Sequence, residues 1–335
     1  RAADAAGAYR AVLAEPRHGE VYDHALLELA ELEIEAERYK AAAELLLELR
    51  RLIEGGAEVA GELRSQCTYR LGLCEFRLGN HPSAAALLEE FLAADANGAL
   101  ATSAGLLCAE ALVKMGRYER GATHLARVVA RFESESTSAS NEEARQAYGT
   151  SLLRLSECLA ALQQWPESEA VFARYLDRFP RAELRFQAHF GVGWARENQG
   201  RHDDAMEAYG KVIDRHQGPT AARAQFQVGE CLFAQKRFDE AVRAFLKVDI
   251  LYAYPQWSAA ALYEAGRCFG EMGNPVEARA QYEQVQRDHE QTRWAKLAGE
   301  RLAELGRSTL PGHRADPPPT PHAPGDSLWE SNRWN

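Results

Sequence analysis

A pattern that returns about every 37 residues constrains this chain more than any other feature. With "FQVGECLFAQKRFDEAVRAFLKV" (226–248) set above "YEAGRCFGEMGNPVEARAQYEQV" (263–285), Gly229 falls on Gly266, Ala241 on Ala278 and Phe245 on Tyr282. The same template fits around small anchor residues at Ala30, Gly72, Ala109, Ser156 and Gly193, so successive anchors lie 42, 37, 47, 37, 36 and 37 residues apart. Seven complete units result. A period in this range is the signature of stacked supersecondary units, none of which can bury its apolar face alone.

Each unit reads as two antiparallel helices. The small anchor lets them approach, and twelve residues later a second small residue faces it: Ala42, Ala84, Gly121, Ser168, Ala205, Ala241 and Ala278. Four positions further on stands a large residue, Leu46, Leu88, Leu125, Phe172, Tyr209, Phe245 or Tyr282, on the same helix face. Short turns such as "GNHP", "MGRYE", "NQGRHD" and "MGNP" separate the helices, with Gly and Asn able to take the left-handed backbone that ends a helix.

"AADAAGAYRAVLAEP" at the start reads as an orphan second helix, with Ala5 and Tyr9 in register and Pro16 ending it, so at least half a repeat is expected upstream. The longest spacing holds "ESESTSASNEE" (133–143), a polar, Ser-rich segment expected to be a long exposed loop. "TRWAKLAGERLAELG" (292–306) carries Trp294, Leu297, Leu302 and Leu305 at helical spacing, as a helix capping the open end of the core should. Residues 307–335 are Pro-rich and cannot continue a helix; they are expected to be extended, with Trp329 and Trp334 available for docking. The expected fold is all-α, a right-handed α-solenoid of about seven hairpins over 1–306 with the tail beyond it.

Composition narrows the function classes. With 39 Lys and Arg against 49 Asp and Glu, the net charge of −10 offers no cationic surface for phosphate backbones, so nucleic acid is not an expected partner. No apolar run approaches the roughly 18–20 residues that a spanning helix needs.

The "LG" and "VG" pairs, the alanine at the second small position and the closing Phe179-Pro180 and Tyr254-Pro255 resemble the tetratricopeptide repeat family over nearly the whole chain to residue 306. Segment 222–303 is similar to the bacterial envelope repeats of the YbgF/CpoB and BamD type. The resemblance implies a superhelix whose concave groove, lined by the first helix of each pair, holds a segment of a protein partner, with no reaction and no cofactor of its own. Carried onto this sequence, the groove positions are Tyr69, Leu73 and Phe76, then Phe190, Trp194 and Glu197, then Arg223, Phe226, Glu230 and Phe233, and finally Tyr263 and Arg267. The alternative use of these aromatics is to fill space between repeats. The chaperone-binding members of the family grip a carboxylate with Lys and Asn, and those positions here are mainly aromatic, Glu or small.

Catalytic and metal chemistry find little support in spacing. Four of six cysteines, Cys74, Cys158, Cys231 and Cys268, stand two residues after an anchor, and equivalent positions on neighbouring repeats lie about 10 Å apart, beyond the ~7 Å Cα limit for a disulfide. With Cys67 and Cys108 they are expected to be buried free thiols. No Cys or His pair has zinc-ligand spacing. "GVGWARENQG" (191–200) lacks the strand and the third glycine of a phosphate loop. Acidic stretches such as "ELAELEIEAERYK" fit solvated helix faces. The expected role is a non-enzymatic scaffold in a bacterial multiprotein assembly, periplasmic or envelope-associated by its repeat type. A cytoplasmic adaptor, or a permanent subunit held by convex face, loop and tail, are the alternatives.

Overall fold

A computed structural model of the chain describes residues 2–14, 19–55, 61–134, 142–252 and 254–308. Pro16, the middle of the polar loop at 135–141, and the tail with Trp329 and Trp334 lie outside them. Sixteen α-helices and no strand occur among the described residues. After α1 (Ala2–Leu13), five hairpins follow: α2/α3 (Glu20–Glu35, Tyr39–Glu54), α4/α5 (Gly61–Arg77, His81–Ala94), α6/α7 (Ala101–Lys114, Tyr118–Ser134), α8/α9 (Glu142–Ala161, Trp165–Arg178) and α10/α11 (Arg185–Asn198, His202–Ile213). Two more, α12/α13 (Pro219–Ala234, Phe238–Tyr252) and α14/α15 (Pro255–Glu271, Pro275–Asp288), precede α16 (Arg293–Ser308). The seven hairpins are the seven sequence repeats. The polar loop is shorter than its composition implied, because Glu133 and Ser134 finish α7 and Glu142 and Glu143 begin α8.

The anchors show why the repeat needs small residues. A Cβ at Gly229 would lie 2.5 Å from the Phe245 ring, and at Gly193 or Gly266 it would lie 2.6 Å from the ring of Tyr209 or Tyr282. In each case the ring is the large residue sixteen positions on, carried by the second helix of the same hairpin. The fourth repeat replaces glycine by serine, and the Ser168 hydroxyl donates to the Ser156 carbonyl at 2.8 Å across the crossing.

The turns repeat with equal regularity. Seven residues after each anchor the backbone is left-handed: Gly79, Gly116, Gly200 and Gly273, but also Glu37, Gln163 and Lys236 with φ of 56°, 58° and 61°. Around each, one N–H bonds back three residues and the next bonds back five, as in Lys236→Phe233 and Arg237→Leu232. This pairing satisfies the last carbonyls of the first helix and sets the hairpin angle.

The chain divides into two compact units, Arg1–Arg215 and His216–Asn335. In the first, each helix packs on the next in sequence, and first helices also touch first helices, α2 on α4, α4 on α6 and α8 on α10. In the second, α12 touches α14 and α14 touches α16. Among the described residues no two second helices pack to this extent, so the first helices form the inner face of each unit. Trp294 is buried on α16 with its ring 5.3 Å from that of Tyr263, so α16 packs on α14 within the second unit.

Candidate functional site

Register on the first helices decides which side chains reach the inner face. In the fifth to seventh repeats the side chain three residues before the anchor turns into the hairpin. Phe190 and Phe226 are each 1% exposed and Tyr263 7%. Phe190 packs on Tyr209 at 5.3 Å between centroids, Phe226 on Phe245 at 5.3 Å and Trp257 at 5.6 Å, and Tyr263 on Tyr282 at 5.5 Å. These three fill core space, the alternative use the sequence allowed for them, and a partner cannot reach them without unpacking the hairpins.

One and four residues after the anchor, the side chains stay at the inner surface. Leu73, Phe76, Trp194, Glu197, Glu230 and Phe233 are all half-buried. Arg267, in the same register, is buried: its guanidinium donates to Glu264 at 2.6 Å and lies 4.7 Å over the Phe233 ring, tying α14 to α12. Arg223, six before its anchor, is buried as well. Glu197 accepts the Tyr209 hydroxyl at 2.6 Å, which leaves it a hairpin brace as much as a surface carboxylate.

The first unit opens a cavity of about 420 Å³ on this inner face. Tyr69, Leu73 and Phe76 of α4 form one wall, Leu106, Leu107 and Val113 of α6 the floor, and Thr150 and Arg154 of α8 the far side. Tyr69 is held at its inner edge by Phe91, with ring centroids 5.6 Å apart, and Phe76 by His81 at 5.4 Å. One charged cluster borders the apolar walls: Arg154 pairs with Glu157 at 2.9 Å and reaches Glu110 on α6 at 3.4 Å. Burial pushes the Glu157 carboxyl above the usual range, opposed by Arg154. A pocket of this size, mostly apolar with a few convergent polar groups, can take side chains of a bound segment. Leu106, Leu107, Thr150 and Arg154 escaped sequence reasoning because they stand two to six residues before their anchors and none is aromatic. The signal that could have found part of the site is Val113, four after its anchor, in the register of Phe76 on the preceding first helix.

All six cysteines are buried and free, the four that share a register and also Cys67 and Cys108, which do not. Cys108 does not stand alone, however. Its Sγ, a carboxylate oxygen of Glu89 and a ring nitrogen of His124 lie within 4.8 Å of one another, brought together from α6, α5 and α7. Spacings of 19 and 16 residues belong to no short metal motif, so only folding reveals the trio.

Comparison with known proteins gives the same architecture. Tetratricopeptide repeat models match residues 57–99, 106–183, 159–216 and 190–256, and a second such model matches 260–292. No curated protein matches in a sequence search. Among solved structures, the apo form of RapI superposes with a TM-score of 0.58 at 13% identity, covering 91% of each chain. The C-terminal part of a TPR repeat-containing protein from Cytophaga hutchinsonii also gives 0.58, at 12% identity over 81% of this chain and 98% of that one. A tetratricopeptide repeat protein from Parabacteroides merdae gives 0.51 at 14% identity, over 85% and 98%. At such identities the likeness is one of fold. The repeat register, the seven like turns and the model matches over more than half the sequence lead to one conclusion: the chain belongs to the tetratricopeptide repeat family.

Proposed function

We propose that this chain is a non-enzymatic scaffold that holds an extended or helical segment of a protein partner on its inner face, seated in the cavity between α4, α6 and α8. One observation carries the reading: the cavity's apolar walls are half-buried on first helices, where packing leaves them within reach, whereas the aromatics of the fifth to seventh repeats are largely consumed by the core. The seat is therefore the second to fourth repeats, with Trp194 and Phe233 as separate inner-surface anchors in their own units. Covering a side chain such as Leu73 or Phe76 contributes about 1.5–3 kcal/mol, enough for a hot spot. The Arg154 cluster at the rim selects a partner segment bearing a complementary polar group beside its apolar anchors.

The partner is placed in a bacterial envelope assembly on the likeness of segment 222–303 to envelope repeats; fractionation of the native protein tests that placement. The binding mode is tested by mild affinity capture from the native source. The comparison is between the wild type, Leu73→Asp/Leu107→Asp, Trp194→Ala/Phe233→Ala, and a chain ending at Gly306. The reading expects the first double variant to lose a partner that the wild type retains. Loss only on truncation would move the function to the tail and make the chain a permanent subunit of a larger complex.

A further inference from the structure

We propose that Glu89, Cys108 and His124 of the second and third repeats form a binding site for a zinc-like divalent cation. The repeats themselves supply a control. At the position of Cys108, one before the anchor, the other six repeats have Leu29, Leu71, Leu155, Val192, Val228 and Ala265. At the position of His124, three after the second small residue, they have Leu45, Leu87, Val171, Ala208, Ala244 and Gln281. The third repeat alone replaces two packing positions by a thiol and an imidazole, and places both against a carboxylate. Cys108 also departs from the register shared by Cys74, Cys158, Cys231 and Cys268, so the usual account of a cysteine here does not cover it.

Geometry fits the cation. The three donor atoms lie within 4.8 Å of one another, and His124 Nε2 is 3.3 Å from Glu89 Oε1. Metal–N and metal–O bonds of about 2.0–2.1 Å in a tetrahedral site put two such donors roughly 3.4 Å apart. The imidazole and thiol are buried, while the Glu89 side chain is 31% exposed, so the fourth position opens to water past the carboxylate.

On binding, Cys108 gives its proton to solvent, so its thiolate supplies one negative charge to the divalent ion and Glu89 a second that it shares with Arg120. Because Cys108 must release its proton, binding strengthens as pH rises. Arg120 donates to both Glu89 oxygens at 2.6 Å and so fixes the carboxylate beside His124. A thiolate and an imidazole in one site select zinc over magnesium or calcium.

The test uses the full chain after chelator treatment, titrated calorimetrically with Zn²⁺ and spectroscopically with Co²⁺. One cation per chain is expected, with a thiolate-to-cobalt charge-transfer band. Cys108→Val and His124→Leu install residues that other repeats carry at these positions, and each should weaken binding at least a hundredfold with helicity unchanged. Glu89→Gln should weaken it about tenfold. The wild-type cobalt spectrum decides the matter even if a variant fails to fold: no thiolate band overturns the site. So does binding that persists undiminished in Cys108→Val, which would put the metal on other residues.

Discussion

Three of the seven hairpin turns force a side chain into left-handed backbone, at Glu37, Gln163 and Lys236. The conformation costs an L-residue about 1–2 kcal/mol, and the unfolded chain's greater freedom with glycine returns part of that. Lys236→Gly is therefore expected to stabilise the protein by about 0.5–1 kcal/mol, and Gly273→Ala, at the same register with φ of 75°, to destabilise it by about 1 kcal/mol. Urea midpoints at constant slope measure both. Thiols make a second prediction at this scale. Burial pushes Cys67, Cys74, Cys108 and Cys158 up to about 12, whereas the unfolded chain titrates its thiols near 8.5. Below that value both states are neutral and stability is unaffected. Above it the unfolded state ionises first, so stability falls as pH rises from about 9 toward 12. Urea midpoints should decline over that window, less steeply in Cys74→Ala/Cys158→Ala. A native chain whose thiols react promptly with a disulfide reagent at pH 8 would contradict the burial behind this.

Helix crossings are where sequence and structure agree most closely, and the agreement has a steric cause. The chain pairs Ala30 and Ala109 with leucines, and Gly193, Gly229 and Gly266 with rings that a Cβ at the anchor would meet at 2.5–2.6 Å, while Gly72 opposite Leu88 and Ser156 opposite Phe172 depart from that pairing. Gly229→Ala should thus cost about 1–3 kcal/mol by overpacking against Phe245, and Gly229→Ala/Phe245→Leu, which recreates the alanine–leucine pairing, should recover part of it. Additive losses in thermal or urea unfolding would show that the crossing is not the coupled contact described. The recurring small anchors and the large residues opposite them made the repeats and their hairpins legible in the sequence. Surface was harder to read. The aromatics three before the anchor look like groove residues in a sequence, yet a shift of four positions along the helix separates Phe226, in the core, from Glu230, at the inner face. Tyr69, three before its anchor like Phe226, stays half-buried although it packs on Phe91 of its own hairpin, and the cavity beside it is built from three helices whose spacing no single repeat encodes.

Within each of the two compact units, contacts run between neighbours in sequence: α1 to α11 each pack on the next, as do α12 to α16, and where first helices touch they are successive ones. Stability in such a chain is close to a sum of repeat terms and nearest-neighbour terms, so damage should stay local. Phe226 offers a direct trial. It is 1% exposed between Phe245 and Trp257, and Phe226→Ala removes contacts within α12/α13 and to α14 at once. The truncation should cost about 3–5 kcal/mol in that part of the chain. Hydrogen exchange should show α12 to α15 opening faster, by the same free energy, while α2 to α7 in the other compact unit keep their wild-type protection. Protection lost equally across all sixteen helices would mean that the chain unfolds as one cooperative body, and nearest-neighbour coupling would then understate how firmly its repeats are joined.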